Sequence, residues 1–216
     1  MFKELEKRIL SSIILIPSSF LIILKGSLLF NFFLLICFII TSFEWYVMSK
    51  KKKYHLIGFF FLSLSFVSAY HLRNNFDDQS LIIFLTILFT CISTDIGGYV
   101  FGNIFKGPKL TKISPKKTYS GMIGSYILSI ITIYILFIYS YLYNDIIVKF
   151  TSETFLIVLL ISTVSQIGDI IISFFKRLSK IKDTGKIIPG HGGLLDRIDG
   201  MIFAFPFSYI IFSLNI

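Results

Sequence analysis

The sequence predicts an all-α integral membrane protein, a polytopic bundle of about seven transmembrane helices with a cytoplasmic Gly-rich loop between the last two. Three observations predict it. Of the 216 residues, 55% are hydrophobic and only 15% are charged, with a mean hydropathy of +0.81, whereas soluble domains carry about 25% charged residues. The apolar residues gather into runs near the ~20 residues that cross a bilayer. The basic residues concentrate between alternate runs.

The runs cover about 9–24, 27–47, 55–72, 80–103, 120–143, 154–174 and 198–215. With a cytoplasmic N-terminus, the inside segments hold Lys3, Lys7 and Arg8, then Lys50 to Lys53, then Lys106, Lys109, Lys112, Lys116 and Lys117. The last inside loop adds Lys176, Arg177, Lys180, Lys182, Lys186 and Arg197, leaving only Lys25, Arg73 and Lys149 of the 21 Lys and Arg outside. Such a bias sets orientation, and it makes seven spans with an outside C-terminus the consistent reading. The net charge of +9 then follows from loops lying beside anionic lipid headgroups. No nucleic-acid partner is expected, because the basic residues lack an accompanying aromatic stacking surface.

The first run lacks a small-residue cleavage site and carries Glu4 and Glu6 among its basic residues, so it is expected to stay attached. Cys37 and Cys91 fall inside runs without partner spacing and are expected to be small buried hydrophobes. Residues 1–216 read as one membrane domain, with N-terminal hydrophobic spans over 1–79 and a catalytic half over 80–216. Glu44 and Trp45, near the inner end of the second run, are expected to be interfacial anchors.

Polarity inside the apolar runs marks the chemistry. Asp95 lies within the fourth run, and an ionisable residue at that depth faces a wet cavity or a partner. Tyr99 at i+4 and Asn103 one turn further share its face, while Gly97, Gly98 and Gly102 allow close helix packing. Beyond them Lys116 and Lys117 follow Pro115, a basic patch suited to phosphate oxygens or to topology alone. The sixth run repeats the pattern, with Asp169, Ser173 and Lys176 on one stripe and Arg177 next to it. That stripe fits either an internally satisfied ion pair or one wall of a site for a metal-bound phosphate.

The stretch "IKDTGKIIPGHGGLLDRIDG", residues 181–200, would supply the other wall. Gly190, Gly192 and Gly193 permit close backbone approach to a ligand, and Asp196 and Asp199 stand at the mouth of the last run. Mg²⁺ takes oxygen ligands, commonly one or two carboxylates plus substrate phosphates. Asp169 and Asp196 are therefore the expected metal pair, with Lys117, Lys176, Arg177 and Arg197 neutralising phosphate charge. A transfer between phosphates needs little acid–base help, since the attacking group is already an oxyanion, and charge stabilisation dominates. His191 would donate a proton, contact the phosphate-bearing ligand or fix the turn. His55 and His71 lie away from it in the third run, which argues against zinc.

The segment from Ser173 to Asp199, "SFFKRLSKIKDTGKIIPGHGGLLDRID", resembles the signature of the phosphatidate cytidylyltransferases, the CDP-diacylglycerol synthases. Asp95 to Gly121, with its Gly-and-aromatic helix, "KL", "ISPKKT" and final Gly, resembles the same family. The resemblance implies a membrane enzyme that condenses CTP with phosphatidic acid to give CDP-diacylglycerol and pyrophosphate, dependent on Mg²⁺, with a second cation left open. It places metal-binding aspartates at Asp169 and Asp196 and a phosphate-contacting lysine at Lys117. The remaining motif elements fall on Lys176, Arg177, His191, Gly192, Gly193, Arg197 and Asp199.

Three positions depart from the pattern: Ile172, Ile96 and Ser120 stand where many members carry an acidic residue, a Thr and an acidic residue. The front end is also shorter than in many bacterial relatives. The expected location is a bacterial-type inner membrane with the site facing the cytoplasm. The expected partners are CTP, phosphatidic acid and membrane lipid, with a homodimer as the candidate assembly. Other readings stay open: another CTP-using lipid enzyme, such as a polyprenol kinase or an ether-lipid CDP synthase, and an ion-coupled transporter with Asp95 and Asp169 in its pathway. A CDP-alcohol phosphotransferase is disfavoured, because its motif spacing occurs in no run.

Overall fold

The computed structural model describes residues 2–76, 79–111, 113–143, 150–190 and 192–214. Among them the chain forms eight helices: α1 (Phe2–Lys25), α2 (Ser27–Ser49), α3 (His55–Asn74), α4 (Ser80–Phe105), α5 (Tyr119–Tyr143), α6 (Ser152–Leu178), the single-turn α7 (Leu195–Ile198) and α8 (Met201–Ser213). No sheet forms among the described residues, and pairing is limited to two isolated bridges, Lys109 with Thr118 and Ile188 with Gly192.

Five helices, α2 to α6, are long and apolar enough to cross a membrane. The apolar part of α1 spans 17 residues and α8 only 13, which at 1.5 Å per residue reaches about 20 Å for α8, short of a ~30 Å hydrocarbon core. Each of the seven predicted runs nevertheless lies largely on a helix.

Local chemistry sets the helix ends. Gly26, with a positive φ of 62°, turns the chain between α1 and α2 in one residue. Thr151 caps α6 by accepting from the backbone N–H of Thr154, and Lys176 and Arg177 in its last turn complement the helix dipole. Thr118 Oγ1 accepts from Gly121 N at the start of α5.

The α4 helix is the centre of the bundle: 56% of its most apolar stretch is buried, against 17–33% for the other spans. It packs on α5 through small residues, and a Cβ at Gly97 would come within 2.5 Å of the Gly124 carbonyl oxygen. This is the close backbone approach that small residues allow between membrane helices. Polar side chains tie α4 to both neighbours, with Ser125 of α5 donating to the Thr94 carbonyl and Thr94 donating to Ser162 of α6.

Two further contacts fix which loops meet. Tyr54 joins Ser179, and Ser11 donates to the Pro189 carbonyl. The start of α1, the α2–α3 loop and the loop after α6 therefore gather at one end, and a Lys117–Asp169 ion pair brings the α4–α5 loop there too. At the other end Arg73 donates to the carbonyls of Ile23 and Leu24. The lysine-rich loops thus share one end of the bundle.

Candidate active site

A cleft of about 270 Å³ opens between α4, α5, α6 and the α4–α5 loop. Asp95 and Tyr99 line it from α4, Lys116 and Lys117 from the loop, and Asp169 from α6. Lys117 Nζ lies 2.5 Å from Asp169 Oδ2, with both side chains about a quarter exposed. This pair can therefore exchange partners with an incoming anion and cation, as a fully dry ion pair would not. Ser173 donates to the other Asp169 oxygen at 3.2 Å, as their shared stripe predicts.

A second, drier cluster adjoins it. Lys176 is buried and sits 2.9 Å from Asp196 Oδ1 and 3.8 Å from Asp199 Oδ2. The stripe on α6 thus divides: Asp169 turns to Lys117, while Lys176 turns to the carboxylates before α8. Asp95, Asp169 and Asp199 lie within electrostatic reach of one another, and Asp95 also feels Lys117 and Arg197. Asp196 and Asp169 belong to separate ion pairs, and Asp95 and Asp199 are the carboxylates that feel the charge of Asp169.

Asp196 is presented by the backbone of the Gly-rich loop. Its Oδ2 accepts from Thr184 N at 2.8 Å and Gly193 N at 3.1 Å. Burial opposes its charge, but Lys176 and those two N–H groups more than offset that and hold the carboxyl below its ordinary value. It is ionised at neutral pH and able to take a cation. Gly192 needs its positive φ of 91° to fold the loop back, with its carbonyl accepting from Ile188 N. Arg177 donates to the Ile181 carbonyl at 2.9 Å and so closes the end of α6. Arg197 is exposed beside the cluster. His191 lies outside the described residues.

Sequence reasoning placed Glu44 at the membrane interface, and the fold corrects this. Glu44 is only 2% exposed and reaches across the bundle to the Gly-rich loop. Its carboxylate accepts from Leu194 N at 3.0 Å, Leu195 N at 2.8 Å and Thr184 Oγ1 at 3.2 Å. The two N–H groups are orphan donors at the start of α7, which an acceptor must satisfy. Gly193 is required here, since a Cβ on it would fall 2.2 Å from Thr184 Oγ1 and 2.7 Å from Glu44 Oε2. Trp45 is buried as well, donating its indole N–H to the His55 carbonyl and packing edge-on against Phe175. The same apolar cluster takes in Leu195 and Ile172, so the departure at Ile172 is a core contact.

Among the described residues, no group of three or more His, Cys, Asp or Glu side chains is disposed to hold a metal. The donors on offer are carboxylate oxygens, which suit a hard divalent cation. Mg²⁺ characteristically uses one or two carboxylates and completes its shell with water and substrate phosphates. The residues fit such a shared site and do not form a closed protein cage.

Comparison with known proteins decides the family. The profile of the cytidylyltransferase family matches residues 54–215. The chain belongs to the cytidylyltransferase family. It is 37% identical to a phosphatidate cytidylyltransferase of Rickettsia bellii over 213 residues, covering 96% of this chain and 90% of that protein. It is 34% identical to the Rickettsia typhi protein of the same name over 97% of this chain and 91% of that one. The similarity extends to the phosphatidate cytidylyltransferase of Staphylococcus saprophyticus, at 33% over 81% of this chain and 65% of that protein. The first two matches reach α1 and α2, which lie outside the family match.

Proposed function

We propose that the chain transfers a cytidylyl group from CTP to phosphatidic acid, giving CDP-diacylglycerol and pyrophosphate, as the names of its relatives indicate. The observation that carries this reading is the pairing of each candidate metal carboxylate with a lysine at one end of an apolar bundle: Lys117 with Asp169, and Lys176 with Asp196 and Asp199. The first pair, about a quarter exposed, is ready to be replaced by a cation on the carboxylate and a phosphate on the lysine.

In this reading a non-bridging oxygen of the lipid phosphate attacks the α-phosphorus of CTP. A new P–O bond forms, the bond from that phosphorus to the α–β bridging oxygen breaks, and pyrophosphate leaves with the electron pair. Lys117 and Lys116, at the cleft wall, neutralise the β- and γ-phosphates as charge gathers on the leaving group. Lys176 stays between Asp196 and Asp199 and keeps two carboxylates close together without mutual repulsion. Ser173 orients Asp169. Arg177 and Arg197 add positive charge at the rim, and Gly192 and Gly193 bring backbone N–H groups near the site. Asp169 and Asp196, with Asp199 and Asp95 near, would hold Mg²⁺, which when bound supplies Lewis-acid stabilisation of the phosphoryl oxygens.

The lysine-rich end, and with it the cleft and the Gly-rich loop, faces the cytoplasm of a bacterial inner membrane in this reading. Residues 80–216 carry the reacting groups, and 1–79 contribute Glu44 as a strut.

Purified protein in detergent or liposomes, given radiolabelled CTP, phosphatidic acid and Mg²⁺, tests the reading. Label should enter the lipid phase only when all three are present. Label entering with a polyprenol or an ether lipid in place of phosphatidic acid, but not with phosphatidic acid itself, would move the chain to another CTP-using lipid enzyme.

A further inference from the structure

A second cavity lies further along α4 from the cleft, toward the start of that helix. It holds about 670 Å³ between α1, α2, α3, α4 and the start of α8. Its walls are hydrocarbon apart from Cys37 and the hydroxyls of Ser19 and Ser65, and no charged residue lines it. A void of this character stays dry in water, and in a membrane it takes hydrocarbon.

The cavity ends where the acidic cluster begins. On α4, Ile92 lines the cavity and Asp95 lines the polar cleft, and the two stand one turn apart on the same exposed stripe, with Tyr99 beyond. On the other wall Leu194 and Ile198 line the cavity, while Asp196 and Asp199, to either side of Ile198, bind Lys176. Two separate elements therefore change from apolar to acidic at one level. An amphiphile with a phosphate at one end and hydrocarbon at the other matches that change.

We propose that this cavity seats an acyl chain of the phosphatidic acid substrate, holding the lipid phosphate at the level of Asp95, Asp196 and Asp199. The inference rests on the proposed cytidylyl transfer for the identity of the lipid. The lack of any charged lining residue favours a hydrocarbon chain over a protein partner, and along α4 the cavity runs from Phe84 to Ile92, about 12 Å at 1.5 Å per residue. The α1 helix forms the outer wall through Pro17 and Phe20. Its Pro17 removes one helical hydrogen bond and favours a kink at the cavity. Ser11 fastens α1 to the Gly-rich loop, so the wall over the chain and the loop carrying Asp196 are joined.

The test uses full-length protein in phosphatidylcholine nanodiscs and phosphatidic acid carrying a diazirine midway along one acyl chain, with crosslinks mapped by mass spectrometry. Label is expected on Phe33, Cys37 and Phe89, suppressed at least about fivefold by unlabelled phosphatidic acid. A phosphatidylcholine probe with the same diazirine should instead mark outward residues such as Leu28 and Ile131, without suppression. Equal cavity labelling by both probes would overturn substrate binding there in favour of bulk lipid, and phosphatidic acid label confined to outward faces would overturn the cavity altogether.

Turnover measured on the same preparation separates the two claims. Cytidylyl transfer without cavity labelling sinks only the cavity, whereas suppressible cavity labelling without transfer upholds the lipid site and sinks the reaction. As a second readout, Cys37→Trp should raise KM for dioleoyl-phosphatidate about tenfold relative to dihexanoyl-phosphatidate. An equal change for both chain lengths would contradict the assignment.

Discussion

Asp169→Asn is expected to lower kcat by roughly a thousandfold or more while the protein still inserts and purifies. The substitution keeps the size of the side chain and removes its charge. In the folded protein that charge is held by Lys117 at 2.5 Å and oriented by Ser173 at 3.2 Å. In the proposed reaction CTP would take Lys117, and the freed carboxylate would then be the group best placed to hold Mg²⁺. A metal contributes several kcal/mol of charge stabilisation to a phosphoryl transfer, and about 4 kcal/mol corresponds to three powers of ten in rate. Because Asp169 is about a quarter exposed, its neutralisation strands no deeply buried cation, so folding should survive. Steady-state kinetics over a Mg²⁺ series checks this, and retention of more than about a tenth of the activity would remove Asp169 from the site.

Glu44→Ala should be nearly as damaging for a different reason. Three donors lose their acceptor: Leu194 N, Leu195 N and Thr184 Oγ1. An unsatisfied buried polar group costs about 1–3 kcal/mol, so the three together amount to several kcal/mol in a protein of ordinary marginal stability. The loss falls on the Gly-rich loop, which carries the Thr184 and Gly193 N–H groups that hold Asp196. The expected result is a protein with its helix content kept, faster tryptic cleavage at Lys182 or Lys186, and activity reduced at least about a hundredfold with a raised Mg²⁺ requirement. Glu44→Gln, which keeps one acceptor, should fall between. Unchanged cleavage and unchanged Mg²⁺ dependence in Glu44→Ala would show that the loop holds its form without Glu44.

The physical reason Glu44 escaped the sequence reading bears on how much such a chain discloses. Asp95 and Asp169 stand out because each is a lone carboxylate well inside an apolar run, where its cost is plain. Glu44 is the same kind of residue, but Trp45 beside it and the run's end nearby mimic an interfacial belt. Its partners lie 140 to 151 positions away, and no local spacing encodes them.

Periodicity within one helix was legible, as the Asp169–Ser173 bond on a shared stripe shows. Pairing between helices was not. Asp169 and Asp196 each sit on their own lysine, with buried Lys176 drawing Asp196 and Asp199 together, and no local spacing encodes those partners. The five spans α2 to α6 were legible because hydrocarbon length is a property of single segments. The α8 helix, at 13 residues, came out shorter than its apolar run because the chain turns through α7 and Asp199 before it.

Equilibrium binding of a non-hydrolysable CTP analogue, measured with and without Mg²⁺ on the unaltered protein, Lys117→Met and Asp169→Asn, tests the central claim most directly. That claim is that the lysine–aspartate pair in the cleft opens to receive a metal-bound triphosphate. Binding should be Mg²⁺-dependent in the unaltered protein and at least about tenfold weaker in both variants. Equal affinity across all three proteins, or tight binding indifferent to Mg²⁺, would contradict it and place the nucleotide elsewhere.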